Sequence, residues 1–457
     1  MSDKESFDSL ETLSKKQNQQ ALSIYQNYCA GCHGSNLEEF ADENWMFTNS
    51  TRDIEKIIAD GEETMGMPAF GKAFSNDDIS NLTNFILTES KKLSEERITY
   101  KADDYNSKSK DFWVETIVSD LDSPWGLAFL PNNELLIADR NGTLYRYTQN
   151  NDLQIISGLP DIRVGGQGGL MDLQLHPNYQ QNGWIYISFS YFDEANKKAG
   201  NTAIIRARLT ENELSDIEYI YLGTPTVTTK HHYGSRIEFD NEGYLYFSIG
   251  DRGKRDEFPQ RLDNSNGKVH RLHDDGAIPA DNPFVNTPGA EKSIYSYGHR
   301  NIQGIAKHPL TGDIWTHEHG PKGGDEINIS RAGLNYGWPV ISFGINYSGT
   351  KFTDDTAKSG MEQPMIYYVP SIAPCGMAFV NSNRYTGWEN NLLIGSLRFE
   401  YLERLVVSDN DVLLQERLLE GIGRVRNVKV SPDGYIYVAI EEPGKILKLM
   451  PVSDQNN

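Results

Sequence analysis

Residues 237–251 read IEFDNEGYLYFSIGD, and degenerate copies of this segment recur along the chain. In each copy an alternating apolar run reaches a turn and a second alternating run follows, which is the pattern of a β-hairpin. The copies begin at Leu127, Leu173, Ile237, Ile305, Met377 and Val428. Pro or Asn stands four residues into every copy, where the chain must turn. Six copies predict an all-β six-bladed β-propeller, because the alternative, an irregular β-sandwich, would not need a repeated hairpin.

The copies are unevenly spaced, which predicts long loops at one mouth of the propeller. Polar motifs fall in these loops: HHYGSR (231–236), IGDRG (249–253), GHRNIQG (298–304), HGPKGGDE (319–326), NYGWP (335–339) and RVR (424–426). Each motif is weak alone, since a lone His is more often structural. Together they supply a base, a carboxylate to orient it, guanidinium groups and carbonyl-rich turns. That set suits a polyanionic cofactor bound with a hard cation.

A different signal, Cys-Ala-Gly-Cys-His, stands at residues 29–33. This spacing is the attachment signal of c-type haem: Cys29 and Cys32 bind the vinyl groups and His33 ligates the iron. Met67 is the predicted second axial ligand, with Met65 as its competitor. A redox dithiol would need a βαβ pattern, and a zinc site would need further Cys or His nearby. Both readings are therefore disfavoured.

Helical patterns surround this motif. Ala21, Ile24, Tyr25 and Tyr28 recur at helical spacing, and residues 75–78 (SNDD) form a predicted capping box. Residues 15–95 resemble a class I cytochrome c domain. A polar segment at 96–111 is the predicted linker, and 112–452 is the predicted propeller. The third cysteine, Cys375, is expected to be a buried, inert thiol.

The composition bounds the partners and the location. The chain has 457 residues and a net charge of −21, which argues against nucleic acids and anionic membrane surfaces as partners. No run of 18 apolar residues occurs, so we expect no membrane-spanning segment. Haem is normally attached to this motif outside the cytoplasm. We therefore expect a periplasmic or extracellular location, with an export signal missing from the N-terminus of this sequence.

From residue 112 to 449 the chain resembles the soluble glucose/sorbosone dehydrogenases that depend on pyrroloquinoline quinone (PQQ), and within them the aldose sugar dehydrogenases. The resemblance rests on ordered motifs: GQGGLMDLQLHP, HHYGSRI, IGDRG, YGHRNIQG, GPKGGDEIN, NYGWP and RVRNV. It implies oxidation of aldose sugars at C1 to lactones with PQQ and Ca²⁺. The electrons would then pass within the molecule to the haem. A soluble cytochrome is one candidate for the acceptor downstream.

The resemblance also implies roles for single residues. His232 is the expected general base, with Asp251 as its partner and Arg300 on the reactive quinone carbonyl. The other expected cofactor contacts are Gln167, near the substrate, and Asn301, Arg398, Arg424 and Arg426 at PQQ. Backbone carbonyls of Gly320 and Pro321 would hold the Ca²⁺ that binds PQQ. Glu326 and Tyr336 would ligate a second, structural Ca²⁺.

The sequence also departs from the glucose enzyme of this family. Arg398 stands in place of a Lys, and the geometry of the two cations differs. Val369 and Ser371 replace a Trp and a Thr near the cofactor and the sugar, and His319 replaces a Gln beside the calcium turn. The family's disulfide near this region is absent. These changes affect the expected sugar specificity and leave the expected catalytic residues in place.

Two other functions are compatible with parts of the pattern. A Ca²⁺-dependent propeller hydrolase, such as a lactonase, would explain the calcium turn but not the haem motif or the arginines. The other is a non-catalytic propeller used for binding, with the cytochrome as a plain electron shuttle. Addition of PQQ, Ca²⁺ and then an aldose would distinguish the three through the haem absorbance.

Overall fold

The computed structural model describes residues 13–30, 51–61, 67–95, 112–408 and 412–451. They form a small helical unit and a larger β unit. Four predicted features lie outside the described residues: Cys32, His33, Met65 and the linker 96–111. Within the described ranges, no helix is long and apolar enough to cross a membrane.

The helical unit contains three α-helices and one π-helical turn among its described residues. They are α1 (Lys15–Ile24), the π-helical turn (Tyr25–Cys29), α2 (Thr51–Asp60) and α3 (Asn76–Glu95). The predicted capping box is confirmed at the start of α3. There the Asp78 N–H donates to Ser75 Oγ and the Ser75 N–H donates to Asp78 Oδ2, each at 3.2 Å.

The helical unit is held together by an apolar cluster between its helices. Tyr25 and Leu82 are fully buried, and the Tyr25 ring lies 6.2 Å from that of Phe85. Cys29 belongs to the same cluster, and Met67 packs against it. The predicted helical stripe before Cys29 is thus confirmed, and it leads Cys29 into the apolar interior.

Residues 112–408 and 412–451 form six antiparallel sheets of four strands each, the blades of a β-propeller. Blade 1 contains β2 (Pro124–Phe129), β3 (Leu135–Asp139), β4 (Thr143–Tyr147) and β5 (Leu153–Ile156). Blade 2 contains β6 (Leu170–Leu175), β7 (Trp184–Phe192), β8 (Gly200–Thr210) and β9 (Glu213–Leu222), with the one-turn helix α4 (Tyr179–Asn182) between β6 and β7. Blade 3 contains β10 (Ile237–Phe239), β11 (Leu245–Ile249), β12 (Lys268–Leu272) and β13 (Ile294–Tyr297).

Blades 4 and 5 also consist of four consecutive strands, whereas blade 6 takes its fourth strand from the start of the β unit. Blade 4 contains β14 (Ile302–Lys307), β15 (Ile314–Glu318), β16 (Asp325–Ser330) and β17 (Ile366–Tyr368). Blade 5 contains β18 (Pro374–Phe379), β19 (Leu392–Ser396), β20 (Tyr401–Val407) and β21 (Val412–Leu418). Blade 6 contains β22 (Val425–Val430), β23 (Ile436–Ile440), β24 (Gly444–Pro451) and the strand β1 (Phe112–Leu121).

The six predicted hairpins are confirmed, and each forms the first two strands of a blade. Their turns close with short backbone hydrogen bonds; for example, the Gly434 N–H donates to the Ser431 carbonyl at 2.8 Å. Because each hairpin is antiparallel, the start of its first strand and the end of its second lie at the same edge of the blade. The loops at those positions therefore gather at one mouth.

Apolar layers between neighbouring blades hold the propeller together. Each layer draws side chains from two adjacent blades, including the pair formed by the last and the first. The ring closes in blade 6, where β1 pairs with β24 and Phe112 lies opposite Pro451. The first strand of the β unit therefore completes its last blade, which the repeat pattern did not predict.

Candidate active site

The predicted base and its partner lie in contact at the propeller mouth. His232 precedes β10 and Asp251 follows β11, so both come from the same edge of blade 3. His232 Nδ1 lies 2.6 Å from Asp251 Oδ1, and Trp338 Nε1 donates to Asp251 Oδ2 at 2.9 Å. The His232 side chain is 13% exposed, and Asp251 is almost fully buried. This geometry holds Nδ1 against the carboxylate and leaves Nε2 to act on a substrate.

The electrostatics of this pair keep the imidazole neutral and the carboxylate charged. Burial and the nearby Arg300 guanidinium lower the pKa of His232. Burial alone would raise the pKa of Asp251, but His232 and Arg300 outweigh it and lower that pKa to about 2. A neutral imidazole beside an ionised carboxylate is the form that a general base needs near pH 7.

His231, the neighbouring histidine, has a different environment. It is 8% exposed, and its ring lies edge-on to that of His232 at 4.6 Å. Burial and then His232 lower its pKa to about 3. No hydrogen bond of its Nδ1 is present among the described residues. His232, with its carboxylate partner, is thus the better placed of the two.

Arg300 and Asn301 enter the mouth from the start of blade 4. The Arg300 N–H donates to Glu318 Oε2 at 2.5 Å, and its Nη1 donates to the His319 carbonyl at 3.2 Å. The Asp251 N–H donates to the Arg300 carbonyl at 2.7 Å, which joins the Arg300 backbone to that of Asp251. Asn301 Oδ1 accepts the Gly234 N–H at 3.1 Å, so its side chain also anchors the His232 loop.

Three predicted cofactor-binding arginines lie at the starts or ends of blade 5 and blade 6 strands. Arg398 Nη1 donates to the Ser371 carbonyl at 3.1 Å, and Arg424 Nη1 donates to the Leu397 carbonyl at 3.3 Å. Arg426 is buried and its Nη2 lies 2.5 Å from Glu441 Oε2. The structure thus gives Arg426 a carboxylate partner within the protein.

Glu441 follows β23 and was not predicted as a site residue. Burial opposes its ionisation, but Arg426, Arg424 and Arg140 hold its pKa well below the usual range. It lies 3.6 Å from both Arg424 Nε and Arg140 Nη2. Three guanidinium groups thus surround this one carboxylate and form a cationic cluster at the mouth. A polyanionic cofactor such as PQQ fits a cluster of guanidinium groups.

The predicted calcium turn follows β15, next to Arg300. Its Gly320 N–H donates to the buried Asp325 Oδ1 at 2.8 Å. His319 is held by the Pro374 carbonyl at 2.8 Å, and burial followed by Arg300 lowers its pKa well below 6.5. Among the described residues, no group of three or more His, Cys, Asp or Glu side chains converges on one point. Backbone carbonyls are hard oxygen ligands, so the turn still fits Ca²⁺ in chemistry.

Glu326 and Tyr336, the predicted ligands of the second Ca²⁺, are connected through His299 and Glu318. Tyr336 stacks on His299 with ring centroids 4.6 Å apart, and His299 Nδ1 lies 2.8 Å from Glu318 Oε1. Glu318 pairs across the sheet with Glu326. Burial and then Glu318 raise the pKa of Glu326 to about 8. The Tyr336 hydroxyl donates to the Ile329 carbonyl at 2.5 Å. The backbone carbonyl of Tyr336 is therefore the group that this residue could offer to Ca²⁺.

Ser371 and Val369, two positions at which the sequence departs from the glucose enzyme, have different surroundings. The Ser371 hydroxyl donates to Asp325, with Oδ2 at 2.7 Å, and so is turned toward the calcium turn. Val369 is 62% exposed.

Gln167 Oε1 accepts the His232 N–H at 2.8 Å, which places Gln167 beside the base. Cys375 is fully buried beside Arg426, at 3.3 Å from Nη1, and this confirms the expected buried thiol.

Sequence reasoning missed several residues that shape the mouth: Trp338, Glu318, Asp325 and Glu441. Trp338 and Asp325 stand within motifs that had been noticed, NYGWP and HGPKGGDE. Glu318 is the last residue of β15 and Glu441 directly follows β23, so both stand where the second strand of a blade ends, close to the place of Asp251 two residues after β11. Their place in the hairpin repeat was a signal that could have identified them.

Comparison with known proteins agrees with this architecture. The sequence model described as Glucose / Sorbosone dehydrogenase matches residues 121–448, and that described as Cytochrome C oxidase, cbb3-type, subunit III matches residues 16–86. The aldose sugar dehydrogenase YliI of Escherichia coli (strain K12) is 41% identical over 346 residues, which cover 74% of this chain and 92% of the relative.

Solved structures give the same result. The apo-form of the soluble aldose sugar dehydrogenase from Escherichia coli superposes with a TM-score of 0.72 at 40% identity, covering 74% of this chain and 99% of that one. The PQQ-bound form of an aldose sugar dehydrogenase from Streptomyces coelicolor gives 0.62 at 26% identity, covering 74% and 98%. The N-terminal region is a cytochrome c-type domain, and the chain as a whole belongs to the glucose/sorbosone dehydrogenase family.

Proposed function

We propose that the propeller oxidises aldose sugars at C1 to lactones with PQQ and Ca²⁺, and that the chain passes the electrons to a haem c of its own. The observation that carries this proposal is the His232–Asp251 pair with Arg300 beside it at the propeller mouth. Relatives named aldose sugar dehydrogenases, one of them in a PQQ-bound form, support the substrate class and the cofactor.

His232 removes the proton of the anomeric hydroxyl in this proposal. Asp251 accepts a hydrogen bond from Nδ1, so Nε2 carries the lone pair that faces the sugar. After proton transfer the same carboxylate stabilises the imidazolium. Gln167 fixes the backbone of the base and is exposed at the mouth, where it could contact the sugar.

PQQ, when bound, supplies an ortho-quinone that takes up the two electrons lost when an aldose becomes a lactone. Arg300 would place positive charge beside the quinone, where negative charge develops. Arg398, Arg424 and Arg426 would bind its carboxylates, and Asn301 would lie beside the ring. Arg426 and Arg424 also pair with Glu441, at 2.5 Å from Nη2 and 3.6 Å from Nε, so this carboxylate would orient them toward the cofactor.

The carbonyls of Gly320 and Pro321 are the proposed ligands of the Ca²⁺ at PQQ, and Glu326 and Tyr336 those of the structural Ca²⁺. In the cytochrome domain, Cys29, Cys32, His33 and Met67 are the proposed haem contacts. Cys29 lies in the apolar cluster of the helical unit and Met67 packs against that cluster, an environment that suits a haem. We place the protein in the periplasm or outside the cell, where haem is attached to this motif.

Reconstitution tests the proposal directly. Protein treated with a strong chelator and dialysed should not oxidise aldoses, and PQQ with Ca²⁺ should restore the activity. An aldose should then reduce the haem, which is read from its absorbance. Full activity in protein shown to lack PQQ, or activation by a nicotinamide cofactor, would refute it. Lactone hydrolysis without haem reduction would instead favour the hydrolase.

The intramolecular electron path has its own test. The haem reduction rate after addition of sugar should not depend on protein concentration, because a tethered acceptor has a fixed effective concentration. Stopped-flow measurements at several dilutions give this rate. A rate proportional to protein concentration would show that each haem is served by other molecules.

A further inference from the structure

Asp325, the first residue of β16, is fully buried and joins two loops of the propeller mouth. Its Oδ1 accepts the Gly320 N–H of the turn after β15 at 2.8 Å. Its Oδ2 accepts the N–H groups of Ile372 and Ala373, from the loop before β18, at 2.7 and 2.9 Å. Ser371 Oγ donates to the same oxygen at 2.7 Å. One carboxylate thus receives four donors from two segments.

All of these partners, within the described part of the chain, are neutral N–H or O–H groups. Burial of a carboxylate is costly unless hydrogen bonds replace its hydration. Hydrogen bonds to a charged group are stronger and more directional than neutral ones. The arrangement therefore fixes the position of one loop relative to the other more firmly than neutral side chains could.

The two loops carry different halves of the proposed cofactor site. The first contains the carbonyls of Gly320 and Pro321. The second contains Ser371, whose carbonyl accepts a hydrogen bond from Arg398 Nη1 at 3.1 Å. A movement of either loop is therefore transmitted through Asp325 to the other.

The turn itself has little room to adjust. A Cβ atom on Gly320 would lie 2.3 Å from the Gly323 carbonyl oxygen, so the backbone packs on itself there. In the second loop, Ala373 has a φ of +50°, a conformation that a side chain disfavours. The turn is thus tightly packed and the second loop contains a strained residue, and Asp325 bonds to both.

We propose that Asp325 is a positioning residue that couples the calcium turn to the loop holding Arg398, so that Ca²⁺ and PQQ bind cooperatively. This inference rests on the proposed function, since it presumes that both bind here. Asp325 touches neither of them in this proposal. It acts through the positions of the Gly320 carbonyl and of Arg398.

The variant Asp325→Asn tests the coupling in the full-length chain. The amide keeps the shape but turns an NH₂ group toward backbone N–H donors. Calcium affinity is measured by titration calorimetry with and without PQQ, and PQQ affinity by its absorbance at low and high Ca²⁺. We expect a loss of about 10- to 100-fold in calcium affinity, the usual effect of losing an outer-shell partner. PQQ affinity should also lose the part of its dependence on Ca²⁺ that the direct contact between Ca²⁺ and PQQ does not supply.

Asp240→Asn is the matched control. Asp240 also accepts two backbone N–H groups, those of Glu242 and Tyr244, at 2.9 Å each. It lies in the turn between β10 and β11, at the opposite edge from the mouth. Its substitution should leave both affinities and their coupling unchanged. An equal loss of coupling in this control would overturn the proposal, because a general loss of stability would then explain both.

Ser371→Ala keeps the proposal testable if Asp325→Asn does not fold. It removes one donor and keeps the carboxylate, so we expect the same losses at a smaller, severalfold size. Unchanged coupling in a folded Asp325→Asn, or in Ser371→Ala where the former does not fold, would overturn the inference. If the wild type itself shows no Ca²⁺-dependent PQQ binding, the proposed function fails instead.

Discussion

His232 has a φ of +55°, and Arg252 and Ser235 nearby also have positive φ values. Such conformations are costly for residues other than glycine and persist where the surroundings enforce them. Here the fully buried Arg252 donates to the His231 carbonyl at 2.6 Å and lies 3.4 Å over the Tyr233 ring. The orientation of the proposed base is therefore fixed by residues that do not face the substrate.

Loss of the base should reduce turnover and spare cofactor binding. We expect His232→Ala to lower kcat by about 10²-fold or more, the usual effect of removing a general base. PQQ affinity, measured by absorbance titration, should change little because the imidazole is not among the proposed PQQ contacts. The exposed His273, at the far end of β12, provides the control His273→Ala with normal turnover. Normal turnover in His232→Ala would point to His231 as the base.

The pH profile should reflect the lowered pKa of His232. Burial and then Arg300 lower it, Asp251 raises it, and Arg252 lowers it further. The neutral base therefore persists below pH 6.5, where an ordinary imidazole gains a proton. We expect kcat/KM to stay level as pH falls through 6.5 and to decline only at lower pH. Arg300→Gln should move this acid limb to higher pH, and an unmoved limb would contradict the assignment.

At the scale of single elements, the end of α2 illustrates how a turn can position a ligand. Gly61 follows α2 with a φ of +74°, and its N–H donates to the Ile57 carbonyl at 2.8 Å. A Cβ atom there would lie 2.7 Å from the Met67 carbonyl oxygen and 2.6 Å from the Ala69 nitrogen. The backbone from Met67 to Ala69 thus packs against this glycine.

Gly61→Ala should therefore perturb the haem site and leave the propeller active. The strained φ and the clash should cost more than about 1 kcal/mol of stability in the cytochrome domain. The absorbance of the Met–iron bond in the oxidised protein should weaken, while dye-linked sugar oxidation should continue. Gly387→Ala is the control, since Gly387 has a φ of +78° but no atom within 4 Å of an added Cβ. An unchanged haem spectrum in Gly61→Ala would exclude this role.

Elements that depend on local pattern were predictable, and those that depend on distant pairing were not. The six hairpins carry period-two alternation and a turn residue at a fixed position, so a short window reveals each of them. The His232–Asp251 pair followed from the family motifs. By contrast, Asp325 bonds to Ala373, 48 residues away, and Ser123 to Glu441, 318 residues away. No local period signals such contacts, because they arise only when blades close into a ring.

For the whole molecule, the decisive element is β1, which completes blade 6. Its buried Phe112, Val114, Val118 and Leu121 pack in the layers on either side of that blade. Each such side chain stabilises the fold by about 1.5–3 kcal/mol when buried. Without β1, the long strand β24 would also expose an unpaired edge.

Two fragments test this dependence. A fragment beginning near Ser107 keeps β1, so it should fold alone and oxidise aldoses with small dyes as acceptors. It should reduce an external cytochrome poorly, because the haem is missing. A fragment beginning at Ser123 lacks β1 and should unfold at a lower temperature or aggregate. Equal thermal unfolding of the two fragments would show that β1 is dispensable.

The pairing of Phe112 with Pro451 closes the propeller into a ring through strand pairing, so the break in the covalent chain lies inside one sheet. The N- and C-terminal ends of the β unit lie side by side. The architecture therefore does not require that the blades be synthesised in their present order. A circular permutant would join residues 112 and 451 by a linker and place the new chain ends in an outer turn of another blade. We expect it to keep all six sheets. For the same reason, a polypeptide fused at either end is joined to the chain at blade 6. A redox module could therefore be exchanged at either end without interrupting a sheet.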